Sequence, residues 1–272
     1  TRFAGVSWAR EMCIRDSIPD LLKLCQNIGQ IQLDGQKNLN INLKSDNTPV
    51  TNIDIRSSEL IVSYLSRTFK GDTIISEEND DKSNKKPSYW LVDPIDGTKN
   101  YIKGGEQFCI CISYIHNSYP SFGIIYIPSS KEFYYASSGE GAFLIKENMP
   151  KVKITNKSEI DNNIFVSTVI RESVVKLLNN NFKHSKLIYM SSAIKFVRVA
   201  EGKGHFSVRL GPTHEWDTAA GQCIIEESGA LFVDKNLERF RYGQGPKFLN
   251  GPFFVVNGCL LYTSDAADDQ LG

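Results

Sequence analysis

Four short β-rich segments follow one another between residues 108 and 145, and only turn-forming residues separate them. The segments are 108–115, 122–127, 132–137 and 142–145. The separating residues are Asn117-Ser118, Pro128-Ser129 and Gly139-Glu140-Gly141. Connections this short reverse the chain, and they leave no room for a crossover helix between strands. The pattern therefore predicts an antiparallel meander.

The segments on either side of the meander predict helices as well as strands. Before it we expect helices at 18–33 and 51–69 and strands at 72–76 and 89–92, the last one stopping at Asp93-Pro94. After it we expect strands at 164–168, 187–190, 205–209, 230–233 and 253–256, with helices at 171–181, 193–201 and 217–228. The predicted class is mixed α/β (α+β) with two sheets. Met149-Pro150 divides an N-terminal α+β subdomain, 18–150, from a C-terminal α/β subdomain, 151–258.

The two ends of the chain differ in origin from the rest, as their sequences indicate. Met12-Cys13-Ile14-Arg15-Asp16 and Cys259-Leu260-Leu261-Tyr262-Thr263-Ser264 can be encoded by the two strands of one DNA element. The pair resembles a translated sequencing adapter that flanks the gene in opposite orientations. The alternative is a natural signal peptide and tail, but residues 6–17 have no continuous apolar stretch. We therefore interpret 1–17 and 259–272 as non-native, and we expect the native termini to differ.

Charge and cysteine content narrow the class of protein. The chain has 31 basic and 31 acidic residues among 272. Without the two ends the numbers are 31 − 3 = 28 and 31 − 5 = 26, which gives no reason to expect a nucleic-acid partner. No apolar run approaches the roughly 18–20 residues of a membrane helix. The four remaining cysteines lack disulfide or metal-ligand spacing, which suits a reducing cytoplasm and leaves peripheral membrane association open.

Carboxylates stand where the predicted elements begin or end. Glu77 follows the strand at 72–76, Asp93 and Asp96 follow the next strand, Asp217 begins a helix and Asp54 lies in the first turn of another. Acids at such positions converge on one cleft at a sheet edge. Grouped carboxylates need cations to neutralise them, and hard oxygen ligands suit Mg²⁺. The pattern therefore predicts a magnesium site.

The segment Asp93-Pro94-Ile95-Asp96-Gly97-Thr98 combines acids with a place for an anion. We expect Pro94 to fix a turn that aims both aspartates at one point. Gly97 lets the backbone approach a ligand closely, and Thr98 opens a short helix whose free N–H groups favour a phosphate. Cations next to an anion site indicate phosphoryl chemistry.

Each of these features alone has an ordinary explanation. Thr51-x-x-Asp54 fits a capping box, Glu77-Glu78 fits a solvated turn, and Asp217 fits a helix N-cap. The segment around Asp93 fits ordinary Asp/Gly turn chemistry. Their joint occurrence is what favours a functional site.

Two motifs, Asp93-Pro94-Ile95-Asp96-Gly97-Thr98 and Trp216-Asp217-Thr218-Ala219-Ala220-Gly221, resemble the paired signature of the inositol monophosphatase superfamily. The resemblance runs over 18–257. Gly97-Thr98-Lys99-Asn100-Tyr101-Ile102 and Ser191-Ser192-Ala193-Ile194-Lys195 are most similar to the 3′(2′),5′-bisphosphate nucleotidases. The resemblance implies a layered α-β-α-β-α sandwich, lithium sensitivity, a role in sulfur assimilation, and a monomer or homodimer.

The resemblance also implies a role for each site residue. Glu77, Asp93 and the Ile95 carbonyl would hold a first Mg²⁺, and Asp93, Asp96 and Asp217 a second, with a third weaker ion near Glu77. Asp54 and Thr98 would orient the attacking water. The backbone of Gly97 and Thr98 would hold the scissile phosphate. Ser192, Lys195 and Arg209 match positions that contact the nucleotide and its second phosphate.

The substrate implied is adenosine 3′,5′-bisphosphate, with its sulfated analogue as a second candidate. Lys195 and Arg209 supply two cations for a second phosphate, although a solvated lysine and a strand-end arginine are the ordinary alternatives. Leu210 replaces the glutamate with which inositol enzymes hold hydroxyl groups. Ser167-Thr168-Val169-Ile170 replaces the Ser-Arg-Ser-His of the nucleotidases, so the nucleotide-binding histidine is absent or is supplied by His184. An inositol or sugar phosphatase and a non-catalytic metal-binding homologue remain the alternatives.

Overall fold

The computed structural model describes residues 8–79, 86–155, 160–244 and 246–257. The helices in this part of the chain are α1 (Trp8–Asp16), α2 (Ile18–Gly35), α3 (Asn52–Thr68), α4 (Thr98–Ile102), α5 (Glu172–Asn181), α6 (Ile194–Ala200) and α7 (Ala219–Ser228). The strands are β1 (Ile41–Leu43), β2 (Pro49–Thr51), β3 (Thr73–Ser76), β4 (Ser88–Asp96), β5 (Cys109–His116), β6 (Tyr119–Ile127), β7 (Glu132–Ser137), β8 (Gly141–Lys146), β9 (Val152–Ile154), β10 (Asn163–Val166), β11 (Lys186–Tyr189), β12 (Phe206–Arg209), β13 (Leu231–Asp234) and β14 (Phe253–Val256). Short 3₁₀ helices span Glu215–Asp217 and Pro246–Phe248.

The larger sheet has seven strands in the order β3-β4-β5-β6-β7-β8-β9. β3 and β4 are parallel, and every later pair is antiparallel. The predicted meander, β5 to β8, is confirmed. β9 was not predicted because a three-residue strand is too short to show an alternating pattern. It follows the expected boundary at residue 150 but belongs to this first sheet.

β4 corrects one prediction, because the strand does not stop at Asp93-Pro94. It continues to Asp96, with Asp93 opposite Cys111 and Asp96 opposite Cys109 on β5. Three steps along β4 therefore match two along β5, so β4 carries one extra residue, as in a β-bulge. Successive strand residues alternate between the two faces of a sheet. The extra residue restores the phase, so that both aspartates face the same side of the sheet.

The second sheet has five strands in the order β11-β10-β12-β14-β13. β10, β11 and β12 are parallel, and β14 runs antiparallel to both of its neighbours. The alternating strands and helices predicted for the second half of the chain are confirmed within two residues at most of their ends.

Helices and sheets form five alternating layers. Apolar residues of α2 and α3, such as Leu21 and Ile61, pack with Trp90 on one face of the first sheet. α6 and α7 lie between the two sheets, where Phe196 and Ile224 share a core with residues of both. Leu178 of α5 packs on the outer face of the second sheet. The chain therefore has the expected α-β-α-β-α sandwich.

Residues 8–16 form helix α1 although their sequence shows no apolar period. One side chain anchors the helix, since Ile14 is 1% exposed and packs in the core under α2. Arg10 pairs with Asp72 at 2.9 Å. The non-native origin of 1–17 and 259–272, and the division at residue 150, stay predictions; 1–7 and 258–272 lie outside the described residues. Among the described residues, none of the helices is both long and apolar enough to cross a bilayer.

Candidate metal and phosphate site

A cleft of about 570 Å³ opens between the ends of the two sheets. Its lining includes ten of the residues singled out from the sequence: Glu77, Asp93, Ile95, Asp96, Gly97, Thr98, Ser192, Lys195, Arg209 and Asp217. Asp54 lies immediately behind Thr98. Residues separated by up to 140 positions in sequence, Glu77 and Asp217, therefore line one cleft.

Three carboxylates lie together on one wall of the cleft. Asp93 and Asp96 come from β4, Asp217 ends the first 3₁₀ helix, and one oxygen of each lies within 4.8 Å of the others. Burial raises the pKa of Asp93 and of Asp217 well above the usual range, and the neighbouring carboxylates, Glu77 among them, raise both further. Buried acids that repel one another are stabilised by a cation. The donor set is all oxygen, which fits a hard divalent ion such as Mg²⁺.

Asp96 differs from the other two acids because cationic groups face it. Burial raises the pKa of Asp96 to about 6, and the positive charges of Lys195 and Arg209 oppose the rise. The amide of Ala193 donates a short hydrogen bond to its carboxylate. Asp96 thus lies between the carboxylate cluster and the cationic wall of the cleft.

The loop that carries Asp217 is fixed by short polar contacts. The amide of His214 donates to Asp217 Oδ2 at 2.8 Å. Asn250 Nδ2 donates to the His214 carbonyl at 2.6 Å and lies 3.0 Å from the Thr218 hydroxyl. These bonds aim Asp217 at the two aspartates of β4. The N-cap interpretation of Asp217 is wrong, because α7 begins at Ala219 with Thr218 as its N-cap, and Asp217 instead ends the preceding 3₁₀ helix.

Glu77 faces the cleft from the end of β3, and a lysine that sequence reasoning missed contacts it. Lys44 Nζ lies 2.7 Å from Glu77 Oε1 and 2.8 Å from Glu78 Oε1. Burial raises the pKa of Glu78 to about 7, with the charge of Glu77 adding to the rise. Lys44 comes from the polar loop after β1. It supplies a positive charge beside Glu77 and Glu78.

Asp54 serves both as a helix cap and as part of the site. Its Oδ2 accepts the Thr51 amide at 2.9 Å and a short bond from the Thr51 hydroxyl, so the capping box is present. Its Oδ1 accepts from the Thr98 hydroxyl at 3.3 Å, and that hydroxyl is 3.0 Å from the Ile95 carbonyl. Burial raises the pKa of Asp54, while the bonds from Thr51 lower it.

Gly97 and Ser192 shape the backbone around the anion position. Gly97 has φ = +100° before α4, and a Cβ there would lie 2.8 Å from the Gln107 carbonyl oxygen. A larger residue would therefore clash as well as be strained. Ser192 also has positive φ, +59°, in the turn that leads into α6. This turn presents the Ala193 amide to Asp96.

Two cations form the wall opposite the carboxylates. Lys195 is only 8% exposed and donates to the Ser192 carbonyl. Burial lowers the pKa of Lys195, and the charge of Asp96 opposes that effect. Arg209 donates to Ser167 Oγ at 2.8 Å and to the Pro212 carbonyl at 3.1 Å. Its Nε is buried with no hydrogen-bond partner among the described residues. Neither cation has the environment of a solvated surface side chain.

The suggested role of His184 does not fit the structure. His184 is exposed and is not among the described residues that line the cleft. His214 does line it, with its ring stacked on Trp216 at 4.5 Å. His214 stands three residues before Asp217, and this short spacing is the local signal that could have identified it.

Comparison with known proteins finds relatives that cover most of this chain. Residues 20–258 match the model of the inositol monophosphatase family. The chain is 31% identical over 247 residues to a 3′(2′),5′-bisphosphate nucleotidase CysQ of Aggregatibacter actinomycetemcomitans, covering 88% of this chain and 91% of the relative. It is 32% identical over 231 residues to the protein of the same name from Haemophilus influenzae, covering 82% and 85%.

A solved structure gives the same result for the fold. The CysQ crystal structure from Bacteroides thetaiotaomicron, described as a bacterial member of the inositol monophosphatase family, superposes with a TM-score of 0.76. The two chains are 28% identical, and the match covers 92% of this chain and 98% of the other. The likeness therefore spans both sheets and the cleft between them.

Proposed function

The chain belongs to the inositol monophosphatase family, and we propose that it is a metal-dependent phosphomonoesterase that removes the 3′-phosphate from adenosine 3′,5′-bisphosphate. One observation carries the proposal. Three carboxylates whose oxygens lie within 4.8 Å of one another face a cleft with two buried or half-buried cations on its other wall. The first set suits divalent cations, and the second suits a second phosphate group of the substrate.

The carboxylates divide into the ligand sets that the resemblance implies. Asp93, Asp96 and Asp217 would hold one Mg²⁺, and Asp93, Glu77 and the Ile95 carbonyl another, with a third ion near Glu77 as an extension of the proposal. Bound Mg²⁺ lowers the pKa of water and stabilises charge on a leaving oxygen. Lys44 on Glu77 balances part of the acidic charge when fewer ions are bound.

The residues around Thr98 position the nucleophile. Thr51 holds one oxygen of Asp54, so the other oxygen remains directed at the Thr98 hydroxyl. This pair would orient a water molecule and accept its proton as it attacks phosphorus. The amides of Gly97 and Thr98 would bind the phosphate oxygens. The chain supplies no covalent nucleophile in this scheme, and the phosphate passes directly to water.

Lys195 and Arg209 would recognise the second phosphate. Ser167 holds the Arg209 guanidinium in place, and the Ser192 turn places Lys195 beside Asp96. Arg209 also lines an adjoining apolar recess of about 280 Å³ with Val169, Ile170 and Pro212, where a nucleoside would fit. An inositol phosphatase is the second candidate. Leu210, in place of a hydroxyl-binding carboxylate, argues against it.

The test is phosphate release from a matched set of esters. We expect adenosine 3′,5′-bisphosphate to exceed adenosine 3′-phosphate, inositol 1-phosphate and sugar phosphates in kcat/KM, and 3′-phosphoadenylyl sulfate to be hydrolysed as well. Arg209→Met is expected to reduce kcat/KM for the bisphosphate about 10- to 100-fold, because a charge-assisted contact contributes about 1.5–3 kcal/mol. The same variant should reduce kcat/KM for adenosine 3′-phosphate much less.

Lys103→Met is the matched control, since Lys103 lines the same cleft but is exposed. Equal losses in both variants would mean that only the general positive charge matters. Preference for inositol phosphates over the bisphosphate would move the assignment to the second candidate. The cytoplasmic location and the monomeric or dimeric state remain part of the proposal.

A further inference from the structure

Two buried thiols lie on β5, next to the carboxylates of the neighbouring strand β4. Cys109 and Cys111 alternate along β5, so their side chains share one face of the sheet. By strand register Cys109 is opposite Asp96, and Cys111 is opposite Asp93. The bulge that turns both aspartates toward the cleft places them on that same face. In the sequence the Cys-x-Cys pair has no other metal-binding residue nearby. Only the fold shows that Asp96 is its neighbour.

The distances among these groups match those of a metal site with soft ligands. The two sulfur atoms are 3.9 Å apart, and Cys109 Sγ is 3.9 Å from Asp96 Oδ2. One ligand atom from each of the three residues lies within 4.8 Å of the others. Tetrahedral zinc with Zn–S bonds of about 2.3 Å holds two thiolates about 3.8 Å apart. The thiols are therefore spaced for one ion, with no movement of the strand.

We propose that Cys109, Cys111 and Asp96 form an inhibitory site for a thiophilic divalent cation such as Zn²⁺ or Cd²⁺. The ion enters from the cleft, which Asp96 lines, and each thiol releases one proton as its sulfur binds. Thiolates select this class of ion, whereas the Asp93–Asp96–Asp217 cluster is all oxygen and suits Mg²⁺. The two sites share Asp96, so occupation of one withdraws a ligand from the other. The inhibitory consequence rests on the proposed function, but the binding does not.

Binding is tested directly with Cd²⁺ and the full chain. The parent carries Cys13→Ser and Cys259→Ser, which removes the exposed Cys13 thiol and the terminal one from the signal. We expect one equivalent of Cd²⁺ to give the ultraviolet thiolate-to-cadmium absorption of two thiolates. Cys109→Ser and Cys111→Ser should each reduce that absorption and weaken binding at least about tenfold, since even loss of an outer partner costs a metal site about that much. Cys223→Ser, which removes another buried thiol of the same core, should change neither.

Inhibition is tested with saturating Mg²⁺ and a phosphate ester. Half-inhibition by Cd²⁺ should need at least about ten times more ion in the Cys109 and Cys111 variants than in the parent or in Cys223→Ser. Cys109→Ala and Cys111→Ala repeat both measurements with an apolar replacement. Absorption that survives in all four variants, or equal inhibition of every variant, would overturn the site and place the ion among the carboxylates. Absence of any phosphatase activity would overturn the proposed function, while the absorption would still report the thiol site.

Discussion

The three carboxylates of the cleft and the single buried carboxylate of Glu132 have opposite surroundings. In the cleft, Asp93, Asp96 and Asp217 face one another, and their pKa values are raised. At the start of β7, Glu132 is 4% exposed but has two cationic partners, Arg198 at 2.6 Å and Lys146 at 2.6 Å. Burial alone would raise the pKa of Glu132, but these partners hold it at about 2. The difference indicates that the cleft carboxylates need cations from solution, whereas Glu132 is already neutralised by cationic side chains of the protein.

The largest expected effect is on catalysis, in the cleft. Asp96→Asn removes a charge shared by the metal site and the cationic wall, and we expect turnover to fall about 10³-fold or more, because a bound cation contributes several kcal/mol to the transition state. The metal-free variant should fold and melt no lower than the parent, since one repelling acid is gone. Turnover with saturating Mg²⁺ and thermal melting without it are the two measurements. Unchanged turnover would remove Asp96 from the mechanism.

The second prediction is the reverse case, a large loss of stability with little change in turnover. Glu132→Gln removes one of the two carboxylates that pair with Arg198, the other being Glu201, and should lower the free energy of unfolding by about 2 kcal/mol. Turnover per folded molecule should stay within about twofold, since Glu132 is not among the described residues that line the cleft. Urea titration and steady-state kinetics check the two halves. A large loss of turnover with unchanged stability would contradict the contrast between the cleft carboxylates and Glu132.

These contrasts could be anticipated from sequence only where the signal was local. The capping box of Thr51 and Asp54, the meander and the acids at element ends all depend on residues close together in the chain. The bulge in β4 could not be predicted, because one extra residue is defined only against the register of β5. Lys44 was missed for a related reason. It stands 33 residues from Glu77, in a polar loop without periodicity, and only the fold brings the two together.

The contributions of Asp96 and Glu132 to the free energy of unfolding should change with pH in opposite directions. A folded-state pKa of about 6 at Asp96, above the unfolded value, means that the folded form binds the proton more tightly. Its contribution to stability is complete below the unfolded pKa and is lost as pH rises through about 6. Without metal, raising the pH from 5 to 8 should therefore destabilise the parent relative to Asp96→Asn. The expected change in the difference between their free energies of unfolding is about 1 kcal/mol. Saturating Mg²⁺ should abolish the shift.

Glu132 gives the complementary slope. Its folded pKa of about 2 lies below the unfolded value, so its contribution is present above pH 5 and is lost as pH falls toward 2. The parent should lose its advantage over Glu132→Gln across that acid range, and Mg²⁺ should have no influence on the loss. Denaturant titrations of both pairs of proteins at several pH values make the measurement. Slopes of the same sign in both pairs would contradict the assignment of solution cations to the cleft carboxylates only.

The smallest expected effect comes from the ion pair beside Glu132. Lys131 and Glu147 flank the Glu132–Lys146 pair at the end of the same β-hairpin and meet at 2.7 Å, but they are 52% and 53% exposed. Solvent screens such a pair, so Glu147→Gln should change the free energy of unfolding by less than about 0.5 kcal/mol. Distance is nearly the same in the two pairs, so burial and the additional contact with Arg198 are what separate them. If Glu147→Gln were as destabilising as Glu132→Gln, charge pairing at the hairpin end would be the cause, and burial would have little part in it.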